Sequence, residues 1–375
     1  MEIKIVVCGD FRAVNPEKIH IAEDLATVFS GSDIKICNFE APVKTTNSKP
    51  AIKSGPGLEQ SVDSPTVLKE LGFNVILLAN NHIMDYGNEG LKATLDSFGD
   101  VVTVGAGAAK DAFSPRFVEV KGKRIGFLSL VHQEFGVVNY ADEDGYGAAW
   151  ISSPDVPEIV MNARKECDFL LVLPHAGIEH EAAPLPEWRK LYRKFIDWGA
   201  DCVVGGHPHC PQGWEMYKGK FIYYSLGDFY FDELTYDDLW YKSIVTEIIL
   251  DDKEAKVKEH FVCFDDKTGL IAYDNSERMC GHLTYANRLL QNKEEYDNYV
   301  DKLCESRYQG FKYLLARGIC GVTLKLPLKK IIRLIGCMIL GNQDELVLLN
   351  TIQCESHRWV RERMLKNKNK IHITK

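Results

Sequence analysis

Over residues 1 to about 265 the chain repeatedly runs from a short apolar segment into a polar cluster and then into a helical pattern. That alternation restricts it to a layered α/β architecture. The strand-length segments are Ile3–Cys8, Ile34–Cys37, Val75–Leu78, Val101–Val104, Arg124–Val131, Phe169–Leu173, Cys202–Val204 and Phe221–Tyr224. Ile244–Leu250 and Lys256–Phe264 flank Asp251-Asp252-Lys253-Glu254 and predict a closing antiparallel hairpin.

The residues just beyond the strands are chemically uniform. Asp10 comes after the first, Asn38 and Glu40 after the second, and Asn80-Asn81-His82 after the third. His175 comes after Phe169–Leu173, His207 and His209 after Cys202–Val204, and Ser225-Leu226-Gly227-Asp228 after Phe221–Tyr224. Ligands of an open parallel sheet bind at the carboxyl ends of its strands, so these residues are expected to converge. Carboxylate, amide and imidazole together suit Mn, Fe or Zn. Each residue taken singly has a bland alternative: a helix cap or turn former for Asp10 and Asn38, a core histidine for His175. In Gly205-Gly206-His207-Pro208-His209 the glycines permit close backbone approach, and an extended loop turns two imidazoles to one side. It is the repetition over six strands that capping alone does not explain.

The remaining features narrow the class. There are 45 Lys+Arg against 53 Asp+Glu, a net charge of −8, which argues against nucleic-acid binding. The 11 cysteines include no C-x-x-C pair and read as reduced, mostly buried thiols. Met1–Cys8 lacks the basic and long apolar regions of a secretory signal, and no run of about 18 apolar residues occurs, so a cytoplasmic protein is expected. The chain divides into three regions: 1–265, a helical module over 280–366, and a basic tail at 367–375. Leu324 to Leu340, with Lys325, Lys329, Lys330 and Arg333, reads as a core or self-associating helix, the alternative being a membrane surface.

The stretches Cys8-Gly9-Asp10, Asn38-Phe39-Glu40-Ala41-Pro42, Leu78-Ala79-Asn80-Asn81-His82-Ile83-Met84-Asp85-Tyr86-Gly87, Gly105-Ala106-Gly107, His175-Ala176-Gly177-Ile178-Glu179, Gly205-Gly206-His207-Pro208-His209 and Tyr224-Ser225-Leu226-Gly227-Asp228-Phe229 occur in this order. Together they resemble the CapA-like family of bacterial poly-γ-glutamate capsule-synthesis proteins, within the calcineurin-like metallophosphoesterase superfamily. The resemblance covers roughly residues 1–235. It implies a four-layer α/β/β/α metallophosphatase-like sandwich, here with a helical C-terminal extension. It further implies one or two divalent ions held by Asp10, Glu40 (or Asn38), Asn81, His175, His207 and His209, with His82 against the transferred phosphate or its leaving group.

The chain departs from that pattern in several places. Arg12 stands where phosphoesterases of this fold usually have a metal-binding histidine, and Asn-Phe-Glu replaces Gly-Asp-x-x-Asp. Asp228 stands where family members commonly have Asn, and Gly206 where they have His. Arg12 has only donors and cannot ligate, but it can clamp an anion. Asp10, His82 and Arg12 are therefore the expected catalytic set. A fixed charge at Arg12 predicts a tight ion on the His175/His207 side and a weak one on the Asp10 side. Asp85 and Tyr86 are expected to anchor their loop, and Glu179 is either a partner of a ligand histidine or a surface residue. The implied function is a metal-dependent, phosphoesterase-type hydrolase on an anionic small molecule or polymer, in capsule, exopolysaccharide or poly-γ-glutamate synthesis. The alternative is a non-catalytic metal-binding accessory protein in polymer assembly or export.

Overall fold

A computed structural model describes residues 2–234, 237–251, 255–320 and 343–368. The strand Ile3–Arg12 runs through the middle of a nine-stranded sheet. Ile34–Phe39, Val75–Leu77 and Val102–Val104 extend the sheet in parallel on one side. On the other side Lys242–Leu250 and Ala255–Phe264 pair antiparallel, which is the expected hairpin. A second sheet of six strands is ordered Trp214–Tyr217, Lys220–Tyr223, Cys202–Val204, Phe169–His175, Lys123–Val131 and Arg116–Val120.

The pleat explains how the two sheets stack. Alternate residues of a strand face opposite sides. Ile3, Ile5 and Val7 face Ile125, Phe127, Leu171 and Val204 of the other sheet in one buried cluster. Val6 and Cys8 face outward with Leu25, Phe29, Leu68 and Leu91, which come from the helices Glu23–Ser30, Ser64–Glu70 and Gly87–Phe98. On the second sheet Leu170 and Val172 face outward against Val160 and Ala163 of Val156–Lys165, and Trp188 and Tyr192 of Pro186–Asp197. The layers therefore run α/β/β/α, as expected.

The C-terminal helices join the outermost layer. Leu289 and Leu290 of Glu277–Gln291, Val300 and Leu303 of Lys293–Cys320, and Val360 of Glu355–Lys368 belong to the same buried cluster as Trp188. The last part of the helical module is two helices, Gln343–Gln353 and Glu355–Lys368, separated at Cys354. Leu324–Leu340 and the end of the basic tail lie outside the described residues. Cys8, Cys37, Cys167, Cys202, Cys210, Cys263, Cys280, Cys304 and Cys354 are free thiols. Among the described residues no helix is long and apolar enough to cross a membrane.

Candidate metal centre

Parallel strands in both sheets end at one edge, and their termini supply the centre. The strand Ile3–Arg12 carries Asp10, and Asp228–Phe231 pairs parallel to it with Asp10 opposite Asp228. Gly9 makes this approach feasible, because a Cβ there would stand 1.8 Å from the Gly227 carbonyl oxygen. Asn38 ends the neighbouring strand opposite Asp10, and Glu40 follows it. From the other sheet, His175 ends Phe169–His175, and the turn after Cys202–Val204 brings His207 and His209. Both of these histidines have positive φ, 93° and 54°. Left-handed backbone costs a non-glycine residue energy and persists where the surroundings impose it.

Asp10 and Glu40 are fully buried. Asn38 Nδ2 donates to Asp10 Oδ1 at 2.8 Å, and the His207 backbone N–H donates to Asp10 Oδ2 at 3.0 Å. Glu40 Oε1 accepts no hydrogen bond from the described residues. It lies 3.6 Å from His209 Nε2 and 3.7 Å from His175 Nε2. Asp10, Glu40 and His209 each place one ligand atom within 4.8 Å of the others. The remaining expected ligands are contiguous with this trio. His175 Nε2 is 3.0 Å from Asn81 Oδ1 and 3.3 Å from His207 Nδ1. The edge thus brings together Asp10, Glu40, Asn81, His175, His207 and His209.

The electrostatics are those of a cluster short of positive charge. Burial pushes the Asp10 carboxyl up to about 6 and Glu40 well above the usual carboxylate range. Burial pulls His175 and His207 well below the ordinary imidazole value, with neighbouring imidazoles adding to the effect. They are neutral and keep the lone pairs that a metal needs. His209 goes the other way: burial opposes its charge, but Asp228, Glu40 and Asp10 together raise it well above the ordinary value. Its Nδ1 donates to Asp228 Oδ1 at 2.9 Å, the second-residue contact that orients a ligand histidine. Two buried carboxylates, neutral imidazoles and an orphaned carboxylate oxygen fit a divalent cation. Gly206 packs close to the centre, since a Cβ there would stand 2.8 Å from Asp10 Oδ1 and the carboxylate would have to shift.

Above the centre opens a cavity of about 300 Å³, with Asn81, His82, His207 and His209 in its lining. His82 Nδ1–H donates to Asp85 Oδ2 at 2.7 Å, which leaves Nε2 as the ring's other polar atom. Burial holds His82 below the ordinary imidazole value despite that bond. Asp85 also accepts from the Leu58 backbone N–H at 2.7 Å and pairs with Lys53, while Tyr86 OH meets Glu59. Asp85 and Tyr86 thus pin the 51–59 stretch.

Arg12 is placed differently from the sequence expectation. Its Nη1 donates to the Asp232 carbonyl at 2.6 Å and its Nε to the Glu59 carbonyl at 3.1 Å, and the guanidinium lies over Phe231. Parallel pairing sets Arg12 beside Phe231, so Asp232 is the next acceptor in reach. The guanidinium is partnered by the Asp232 and Glu59 carbonyls rather than turned fully into the cleft, although the Glu40 carboxyl lies near enough to favour its charge. Glu179 is exposed at the cavity rim, and its carbonyl accepts from Arg307 at 2.9 Å.

Several cavity residues escaped sequence reasoning. Lys53, from a stretch with no motif, lies 3.2 Å from His82 Nδ1. His132 is 1% exposed, and neither ring nitrogen has a hydrogen-bond partner among the described residues. Its ring stands 4.4 Å from that of His207, and burial pulls it down to about 3. Glu134 Oε2 accepts from Asn81 Nδ2 at 3.3 Å, and burial, with Glu179 adding, pushes its carboxyl up to about 7. His132 follows Lys123–Val131, so the strand-end rule used for the other ligands would have found it. Arg307, Asn350 and His357 reach the cavity from the C-terminal helices, and no local pattern announces that.

Residues 6–233 match the model of the family described as bacterial capsule synthesis protein PGA_cap. The chain is 35% identical over 218 residues to "PGA biosynthesis protein CapA" of Bacillus subtilis (strain 168), covering 55% of each chain. It is 34% identical over 224 residues to "Capsule biosynthesis protein CapA" of Bacillus anthracis, covering 57% of this chain and 54% of that one. A "Probable polyglutamine synthesis accessory protein" of Mycobacterium tuberculosis is 26% identical over 239 residues, 58% of this chain and 60% of that one. The chain spans about half the length of the Bacillus relatives it matches. Similar solved structures include a hypothetical protein from Thermus thermophilus, with TM-score 0.45, 18% identity and coverage of 69% of this chain and 98% of that one. Another is a putative 5'-nucleotidase from Staphylococcus aureus in complex with alpha-ketoglutarate, with TM-score 0.42, 16% identity and coverage of 77% and 59%.

Proposed function

The chain belongs to the bacterial capsule synthesis protein PGA_cap family, and from that premise we propose that it is a metal-dependent, phosphoesterase-type hydrolase acting on an anionic substrate in capsule or poly-γ-glutamate synthesis. The observation that carries this reading is the buried trio of Asp10, Glu40 and His209 beside the cavity that His82 lines. Asp10, Glu40 and His209 would hold a divalent ion, with Asn81, His175 and His207 available to the same ion or a second. When bound, such an ion supplies Lewis acidity toward a phosphoryl oxygen and acidifies the attacking water.

The chain's own residues supply the rest. Asp85 fixes the His82 tautomer, so Nε2 is the atom that exchanges a proton. An anionic group settling beside His82 raises its proton affinity, the condition for delivering a proton to a leaving oxygen. Lys53, paired with Asp85 beside the same dyad, and Arg307, paired with Glu181, are the cationic side chains of the cavity lining that would face that anion; Arg12 is engaged with Asp232 and Glu59.

The second reading is a metal-binding accessory protein without turnover. Arg12 favours it, because the position that would supply one more imidazole ligand supplies none. The test is turnover of phosphate mono- and diesters by chelator-stripped protein titrated with Mn²⁺. Metal-dependent hydrolysis lost in Glu40→Gln and His209→Ala supports the enzyme. Stoichiometric metal binding with no turnover of either ester class supports the accessory protein.

A further inference from the structure

Beside the metal-site cavity runs a second hollow of about 150 Å³. The two adjoin, and Lys53, Ser54, Asn81, Glu134 and Asn350 line both. The cavity wall mixes imidazole, amide and charged groups with apolar residues such as Leu58, Phe231 and Trp240. The hollow adds Ile52, Phe135, Leu346 and Leu349. Ile52 is 83% exposed, Leu349 48% and Phe135 37%. These are three of the nine exposed large apolar side chains among the described residues, gathered at one place. Scattered exposed apolar residues need no explanation, whereas a cluster adjoining a ligand cavity does.

The groove has a polar end and an apolar end. Lys53 Nζ is 3.2 Å from His82 Nδ1 and 5.9 Å from the Phe135 ring centroid, so it stands where one character changes to the other. Leu346 and Leu349 come from the helix Gln343–Gln353, outside the residues that match the family. Neighbouring C-terminal contacts hold that wall against the site. The Gln133 backbone N–H donates to Glu355 Oε2 at 3.0 Å, and Ser356 Oγ donates to the Gly177 carbonyl at 2.6 Å. Those two bonds tie the C-terminal helices to the loops that follow His132 and His175.

We propose that the ligand of this site is a single-chain amphiphile, with its anionic phosphate-type head at the metal centre and an alkyl tail in the groove between Ile52, Phe135 and Leu349. The five residues that line both hollows put the two within reach of one molecule. The proposal takes the nature of the head from the function proposed above; the tail is argued from the groove alone.

The test measures, by calorimetry on the full chain equilibrated with Mn²⁺, the affinities of methyl-, butyl- and octylphosphonate, which cannot be hydrolysed at phosphorus. Each buried methylene adds roughly two- to fourfold, so octylphosphonate should bind at least about tenfold tighter than methylphosphonate. Leu349→Ser combined with Phe135→Ser should remove most of that gain. Met216→Ser, at an exposed apolar residue on Trp214–Tyr217, should keep the wild-type slope. Equal affinities along the series in the wild type, or no binding of any member, overturn the proposal, as does a slope that survives the double variant. Hydrolysis of phosphoesters without a chain-length slope sinks this inference and leaves the enzyme reading standing. A slope without hydrolysis of any ester does the reverse.

Discussion

Two carboxylate sites of the protein, Glu215 and the Asp10/Glu40 pair, titrate in opposite directions. Glu215 is 12% exposed and saturated with donors. Arg189 Nη2 and Arg193 Nη2 each donate to Oε2 at 2.6 Å, and Arg193 Nε donates to Oε1 at 2.8 Å. Burial works against its charge, but hydrogen bonds from Arg193, Arg189 and Tyr224 pull the carboxyl down to about 2. Asp10 and Glu40 are more deeply buried and share one buried cation, the His209 imidazolium, so burial wins and both carboxyls rise. The same residue chemistry is complete in one place and short of charge in the other. The Glu215 ion pairs close on themselves, whereas Glu40 keeps a buried oxygen without a hydrogen bond among the described residues, which is the opening the proposed ion would fill.

The largest expected effect separates the two clusters by metal. Glu40→Gln should weaken Mn²⁺ binding at least about a thousandfold, roughly 4 kcal/mol. Its ion-free melting temperature should not fall, because the substitution removes a buried charge. Calorimetry and thermal melts with and without chelator read both quantities. Affinity retained within about tenfold would move the centre away from Glu40.

Glu215→Gln tests the finished cluster. It strands two arginines and should cost about 3 kcal/mol in denaturant unfolding while leaving metal content at the wild-type level. A cost below about 0.5 kcal/mol would erase the contrast.

Protons sharpen it next. With Asp10 raised from 3.8 to about 6 in the ion-free fold, binding an ion below that pH must expel a proton. Mn²⁺ affinity should therefore fall as pH drops, beginning where the His209 imidazolium must already lose its proton and steepening below about 6 by up to about a further tenfold per unit for Asp10, which proton-release calorimetry detects. In the ion-free chain, the Asp10 contribution to stability is fully present below its unfolded value near 3.8 and is lost as pH rises through about 6. Glu215 has the opposite sign. Its contribution is present above its ordinary value near 4.5 and is lost as pH falls toward about 2. Metal affinity that is flat between about pH 5 and about pH 7 would contradict the raised Asp10.

The smallest effect lies within the finished cluster. Arg193 is 37% exposed and Arg189 16%. Solvent screens the first pair more, so Arg193→Met should cost about 1 kcal/mol less than Arg189→Met. Equal losses would mean that the two arginines act as one unit.

Much of the site was legible because parallel strands end at one edge. Asp10, Glu40, Asn81, His175, His207 and His209 lie up to about two hundred positions apart in the chain, yet each stands at or just beyond a strand end, and strand ends share an address. Asp228 was visible as a departure from the family pattern, but its bond to His209 was not. Lys53 was hidden because the stretch that carries it has neither motif nor periodicity. Asp85, the Leu58 amide and Tyr86 fold it back over the dyad.

Local chemistry in the sequence determined the layers and the membership of the metal cluster. The two-residue period of the strands and the polar residue after each one are short-range patterns that survive any detail of packing. Tertiary structure alone decided where the charges point and what closes the cavity. Arg12 has the same composition-level meaning whether it faces the metal or Asp232, and only the parallel pairing of Ile3–Arg12 with Asp228–Phe231 turns it to Asp232. Asn350 and His357 become cavity walls, and Leu349 a wall of the adjoining hollow, because the C-terminal helices pack beside Trp188 and bond to Gly177 and Gln133. Such contacts bridge well over a hundred residues, and their geometry depends on how whole helices seat on a sheet, which no local window of sequence encodes.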